Sequence, residues 1–208
     1  MNKEAAKNVL FELKEILDGL EIEFWLNYAT CVGAYRDRAF CEFDEDIDLG
    51  VKHEVIVPKM KLLKQVLQQR GFAIMPVSSP FIYERALKVV KNNIHVDIID
   101  YALNDGERFH PHYIHDHAVV HNAYLFENLQ TINFLGKEFL IPNPTKEFLV
   151  SIYGTEWHVP NLKYDFPEDY RNYRPEYWRT TMYYKPTEKY HQRIKAAWIA
   201  YRLEMGSH

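Results

Sequence analysis

The stretch CEFDEDIDLG, residues 41–50, decides how this chain is read. Four carboxylates, Asp44, Glu45, Asp46 and Asp48, fall within five positions and run directly into Ile47, Leu49, Gly50 and Val51. The apolar residues predict a strand over Ile47 to Val51. Residues two apart on a strand point the same way. Asp46 and Asp48 therefore share one face, with Ile47 and Leu49 on the other. Two carboxylates held side by side repel, so one takes up a proton or a cation sits between them. Carboxylate oxygens suit hard cations, and Mg²⁺ is commonly bound by one or two carboxylates plus substrate phosphates.

A third acid lies about fifty positions on. In IHVDIID, residues 94–100, Asp97 sits between Val96 and Ile98, where an ionised side chain is costly unless paired. A lone Asp-x-Asp reads as a solvated acidic loop. The second acidic strand shifts the reading toward a metal site for phosphoryl or nucleotidyl transfer, built by Asp46, Asp48 and Asp97 with Mg²⁺ or Mn²⁺.

Around these strands the pattern predicts a small α+β domain with a mixed sheet. Val9, Leu10, Leu13, Ile16 and Leu17 recur at helical spacing and place a helix over about residues 3–18. Ile22, Phe24 and Leu26 alternate as a short strand. NYATCVGAYRDR, residues 27–38, reads as small residues followed by a basic turn. Pro58 opens a helix that Gly71 closes. FAIMPV, residues 72–77, reads as a strand. YERALKVV and IHVDIIDYAL are two strands joined by a turn at Lys91-Asn92-Asn93. TINFLGKEFLIP turns near Leu135-Gly136. Asn143-Pro144 starts a helix through Tyr153 that Gly154 ends. A last helix begins near Pro186.

Composition narrows the function classes. Of the 208 residues 47% are hydrophobic, enough for a core, and the formal charge of −4 argues against nucleic acid held by bulk electrostatics. Two cysteines, Cys31 and Cys41, are too few for a disulfide scaffold or a four-cysteine zinc site. There is no apolar run of membrane-spanning length, and the opening helix pattern replaces a signal peptide, so the expected location is cytoplasmic. The His110 to His121 run, HPHYIHDHAVVH, fits no compact zinc spacing and reads as a loop, either solvated or acceptor-binding.

The segment from Phe24 to Val51 resembles the LicD/fukutin family. Thr30, Gly33 and Arg36 match that family's small-residue turn and following Arg. Asp44, Asp46, Ile47 and Asp48 match its acidic run. His95-Val96-Asp97-Ile98 is similar to its second acidic strand. IPNPTKEFLVSIYGTEWHVP, residues 141–160, is similar to its closing pattern. Ala29 stands where the family has a glycine, and Glu45 where it commonly has Asp.

The resemblance implies a polymerase-beta-like nucleotidyltransferase fold. It also implies metal-dependent transfer of phosphocholine, ribitol phosphate or glycerol phosphate from a CDP-linked alcohol donor to a glycan acceptor, with release of CMP. Catalysis and metal binding then fall to Asp46, Asp48 and Asp97. Thr30 and the backbone around Gly33 cradle phosphate. Arg36 contacts a phosphate or the acids, or instead pairs with Asp44 or Asp37. Asp44 orients its neighbours. Lys88 faces the diphosphate or is a surface strand lysine. Tyr153, Trp157 and the aromatics from Tyr164 to Tyr184 stack on a sugar or cytosine, or pack the core. The same fold admits a second reading, transfer of a nucleoside monophosphate from an NTP. A third is a non-catalytic binding domain.

The expected division is a catalytic core over 1–140, an aromatic-rich helical extension over 141–205, and a cloning remnant at 206–208. Spacing carries no code for the alcohol, the acceptor sugar or the oligomeric state.

Overall fold

The computed structural model describes residues 1–42, 44–75, 86–112, 117–160 and 173–174. Helix α1, Lys3–Gly19, starts at Asn2, whose side chain accepts a hydrogen bond from the Ala5 N–H at 3.0 Å. Its buried stripe is Ala6, Val9, Leu10, Leu13, Ile16 and Leu17. Next come β1, Phe24–Leu26, and a two-part helical segment: α2, Tyr28–Val32, and a π-helical turn, Gly33–Asp37. Strand β2, Asp46–Lys52, leads into α3, His53–Ile56, and α4, Met60–Gln69. The strands β3, Ala73–Ile74, β4, Ala86–Lys91, β5, Ile94–Asn104, β6, Glu107–His112, and β7, His117–Asn122, follow. A hairpin of β8, Gln130–Phe134, and β9, Lys137–Ile141, precedes α5, Thr145–Tyr153, and a short β10, Tyr173–Arg174.

The sheet is mixed. β2 is parallel to β5, and β1 and β4 flank that pair antiparallel. The long β5 runs on past β2 to pair with β6, and β7 and β10 extend that end. Three hairpins turn on two residues that both have positive φ: Asn92-Asn93, Asp105-Gly106 and Leu135-Gly136. That is the two-residue turn whose twist matches paired strands.

The buried side of β2, Ile47, Leu49 and Val51, packs with Val96 and Ile98 of β5 and with α1 in one apolar cluster. Phe148, Leu149 and Ile152 of α5 join the same cluster. Trp25 is fully buried, with its ring centroid 5.2 Å from Tyr101 and 4.9 Å from Phe126. Gly50 lies opposite Trp25 in the β1–β2 pairing, and a Cβ there would come within 2.2 Å of the indole. Glycine at 50 is therefore what lets the ring lie against the strand.

Two expectations need correction. The basic turn expected after Asn27 is helical over Tyr28 to Asp37. The apolar stripe there is short and built from Tyr28, Cys31, Val32 and Ala34, which carry little periodic signal. The loop expected over the histidine run contains strands β6 and β7, paired from Glu107–Asn122 to His112–His117. The helix expected from Pro186 lies outside the described residues.

Candidate active site

Asp46 and Asp48 leave the start of β2 on the same face, as strand alternation requires. The parallel register sets Asp48 beside Asp97 and Asp46 beside His95. Each of Asp46, Asp48 and Asp97 offers an oxygen that lies within 4.8 Å of the other two. Asp97 is only 8% exposed, so its charge needs a partner. It accepts a hydrogen bond from Lys88 Nζ at 2.5 Å, and Lys88 is its direct neighbour on β4.

The electrostatics follow from this crowding. Burial, then the charge of Asp46, pushes the Asp44 carboxyl up to about 7. Burial, then the charge of Asp97, raises Asp46, while Lys88 and His95 oppose the shift. Burial, followed by the charges of Asp46, Asp44 and Asp97, holds Asp48 well above the usual carboxylate range. A set of hard oxygen donors this crowded and buried fits a hard divalent cation.

The backbone of Asp48 is clamped on both sides. Its N–H donates to Thr30 Oγ1 at 3.0 Å, and its carbonyl accepts from the Asn27 N–H at 2.9 Å. Asn27 is itself held: its side-chain amide meets the Tyr101 hydroxyl at 3.0 and 3.1 Å, in a fully buried pair. Thr30, expected at a phosphate, is fully buried with its hydroxyl accepting from the backbone of β2. It docks α2 against β2. Gly33, expected to open a phosphate cradle, is packed against the chain's own backbone. A Cβ there would come within 2.4 Å of the Ala39 carbonyl oxygen and 3.0 Å of the Cys41 nitrogen.

Arg36 makes a two-pronged pair with Asp37, Nε to Oδ1 at 2.8 Å and Nη2 to Oδ2 at 2.6 Å. Of the arrangements open to Arg36, the ion pair with Asp37 is the one in this structure, and it holds the Asp37 carboxyl below the usual range. Asp44 stands beside the acids, with its Oδ2 buried and without a hydrogen-bond partner. Ala29, in place of the family glycine, accepts a weak bond from Cys41 Sγ at 3.5 Å through its carbonyl.

Sequence reasoning brought together Asp46, Asp48 and Asp97, with Asp44 as a neighbour, and read Lys88 as either facing the diphosphate or a surface strand lysine. It missed Asn27 and Tyr101. The signal for Asn27 was its place just after a strand and before a helix, where Asn is a favoured N-cap. A cleft of about 510 Å³ between Tyr35, Arg38 and the β8 residues Gln130 and Asn133 shares no lining residue with the acids. Among the described residues, Asp46, Asp48 and Asp97 are the group of acids whose oxygens converge closely enough to hold a metal ion.

A mixed sheet that carries Asp-x-Asp on one strand and a third acid on its parallel neighbour defines a nucleotidyltransferase-type α+β fold. The antibiotic-resistance factor ANT(2'')-Ia, in its solution structure, shares that fold with a TM-score of 0.50 at 11% identity, covering 99% of this chain and 97% of that one. The LicD/FKTN/FKRP nucleotidyltransferase domain matches residues 21–144, and the chain belongs to that family of transferases. An uncharacterized protein of Rickettsia prowazekii (strain Madrid E) is 24% identical over 160 residues, 74% of this chain and 51% of that protein. The ribitol-5-phosphate transferase FKTN of Mus musculus is 25% identical over 185 residues, 83% of this chain and 37% of that enzyme. The chain thus spans about half or less of the length of these curated relatives. Among the described residues no helix is long and apolar enough to cross a membrane.

Proposed function

We propose that this chain transfers a phospho-alcohol from a CDP-activated donor to a sugar hydroxyl of a surface glycan, releasing CMP. The observation that carries the reading is the convergence of Asp46, Asp48 and Asp97 in a chain of this family. The name of the mouse relative, a ribitol-5-phosphate transferase, supports the donor class.

Asp46, Asp48 and Asp97 would hold Mg²⁺ or Mn²⁺, which supplies charge neutralisation at the donor diphosphate. Asp97 takes the proton from the acceptor hydroxyl. The acceptor oxygen bonds to the phosphorus that bears the alcohol, the bond from that phosphorus to the bridging oxygen breaks, and CMP leaves with the electron pair. Lys88 contacts the donor diphosphate. Thr30 and Gly33 act by fixing the strand and the loop that carry the acids. Arg36 reaches a phosphate only by leaving Asp37. A cytoplasmic location belongs to the same proposal.

A thermal-shift screen with CDP-ribitol, CDP-choline, CDP-glycerol and ATP, each with and without Mg²⁺, tests it, because a ligand that binds only the folded state raises its melting point. One CDP-alcohol is expected to give the larger, Mg²⁺-dependent rise. A larger rise with ATP transfers the case to nucleotidyl transfer.

A further inference from the structure

Cross-strand register places Asp48, Asp97 and Lys88 in one row over β2, β5 and β4. Neighbours in such a row share a face, so the ammonium belongs to the acid cluster and not to the outer surface of the sheet. Lys88 Nζ lies 2.5 Å from Asp97 Oδ2, and the Lys88 side chain is 27% exposed.

We propose that Lys88 is a resident counter-ion that a divalent cation must displace from Asp97, and that the displaced ammonium is then taken up by the donor's diphosphate. This rests on the reading of the acids as a metal site. A buried carboxylate such as Asp97 is costly without a cation, and in the metal-free protein Lys88 supplies one. A divalent ion entering among carboxylates this close repels the ammonium at short range. The lysine stem is a flexible four-carbon arm, so the ammonium has room to swing while its strand stays fixed.

The exchange has a thermodynamic consequence. Metal alone binds weakly, because it must expel Lys88 into water. Metal together with a diphosphate binds tightly, because the expelled charge gains a new partner. Lys88 therefore couples the two ligands, and the coupling is reciprocal.

The test is calorimetric titration with Mn²⁺ alone, with CDP alone, and with CDP in saturating Mn²⁺, on the full chain. Lys88→Met and Lys88→Gln are both expected to bind Mn²⁺ alone about tenfold more tightly than wild type, the scale set by removing a unit charge about 5 Å from a divalent ion even with water-like screening. Both are expected to bind CDP less tightly in saturating Mn²⁺. Lys88→Arg, which keeps the charge, is expected to stay near wild type in Mn²⁺ affinity. Unchanged or weaker Mn²⁺ binding in the Met and Gln variants overturns the counter-ion role and leaves the metal site standing. No Mn²⁺ binding to the wild-type chain at millimolar concentration overturns the metal site, and this inference with it.

Discussion

Asp48 and Asp97 are direct neighbours in the parallel pairing of β2 and β5, although 49 positions separate them in the chain. Two acidic side chains on adjacent central strands repel, and the Lys88 ammonium on Asp97 offsets only part of this, since Asp48 is still held well above the usual carboxylate range. A fold that keeps them there carries a local instability, and that instability is measurable.

Asp48→Asn is expected to abolish turnover while leaving the metal-free fold intact or more stable. Removing one crowded charge relieves repulsion. A gain of about 1 kcal/mol raises the melting temperature of a chain this size by about 2–4 °C. Asp97→Asn is expected to lower turnover by about 10²–10⁴-fold, the range for loss of a general base. Thermal melts and initial rates on the same preparations check both. A sharp fall in melting temperature with activity retained makes Asp48 structural.

Thr30 separates a positioning role from a binding role. Thr30→Val leaves the Asp48 N–H buried without its acceptor, which costs about 1–3 kcal/mol. Thr30→Ser retains the hydroxyl and is expected to behave like wild type. Urea denaturation reads the stability, and titration of a CDP-alcohol reads the binding. Unchanged stability with weakened donor binding places the hydroxyl on the substrate after all.

Gly33→Ala is expected to destabilise by about 1–3 kcal/mol, the range for overpacking, because the added methyl meets the Ala39 carbonyl oxygen at 2.4 Å. This glycine is constrained by backbone crowding, so Gly33→Ser is expected to cost at least as much. Denaturation midpoints that match wild type contradict the packing role.

The crowded acids also predict a pH dependence. The folded protein keeps the Asp44 proton up to about 7, whereas an unfolded Asp releases it near 3.9. Between those values the folded state binds more protons, so the metal-free protein loses stability as pH rises through that window. Asp46 and Asp48, also raised, act in the same direction. Mn²⁺ competes with these protons, so it is expected to raise the melting temperature more at pH 8 than at pH 5.5. A larger Mn²⁺ shift at pH 5.5 contradicts the assignment.

The acids were legible because strand alternation fixes their face, and an Asp between Val96 and Ile98 violates the apolar pattern for a reason. Lys88 was only half legible. Its residue type named the charge, but its place beside Asp97 depends on antiparallel register, which sequence sets only through the Asn92-Asn93 turn. The helix over Tyr28 to Asp37 was hidden by its small, mixed residues, whose burial comes from tertiary packing and not from periodicity. Strands β6 and β7 were hidden by their histidines. Asp105-Gly106, a strong hairpin dipeptide, was the available signal for them. A resemblance names positions such as Thr30 and Gly33, whereas the hydrogen bond from the Asp48 N–H and the close approach of the Ala39 carbonyl, which give those positions a packing role, depend on tertiary structure.

The most direct test of the central claim is the product released. Purified protein, Mg²⁺ and a pool of sugar acceptors are incubated with CDP-ribitol, CDP-choline, CDP-glycerol or ATP, and the nucleotide products are separated by chromatography. The account predicts Mg²⁺-dependent CMP from one CDP-alcohol, lost in Asp48→Asn. Pyrophosphate from ATP with no CMP from any CDP-alcohol, or CMP release that persists without metal, contradicts it.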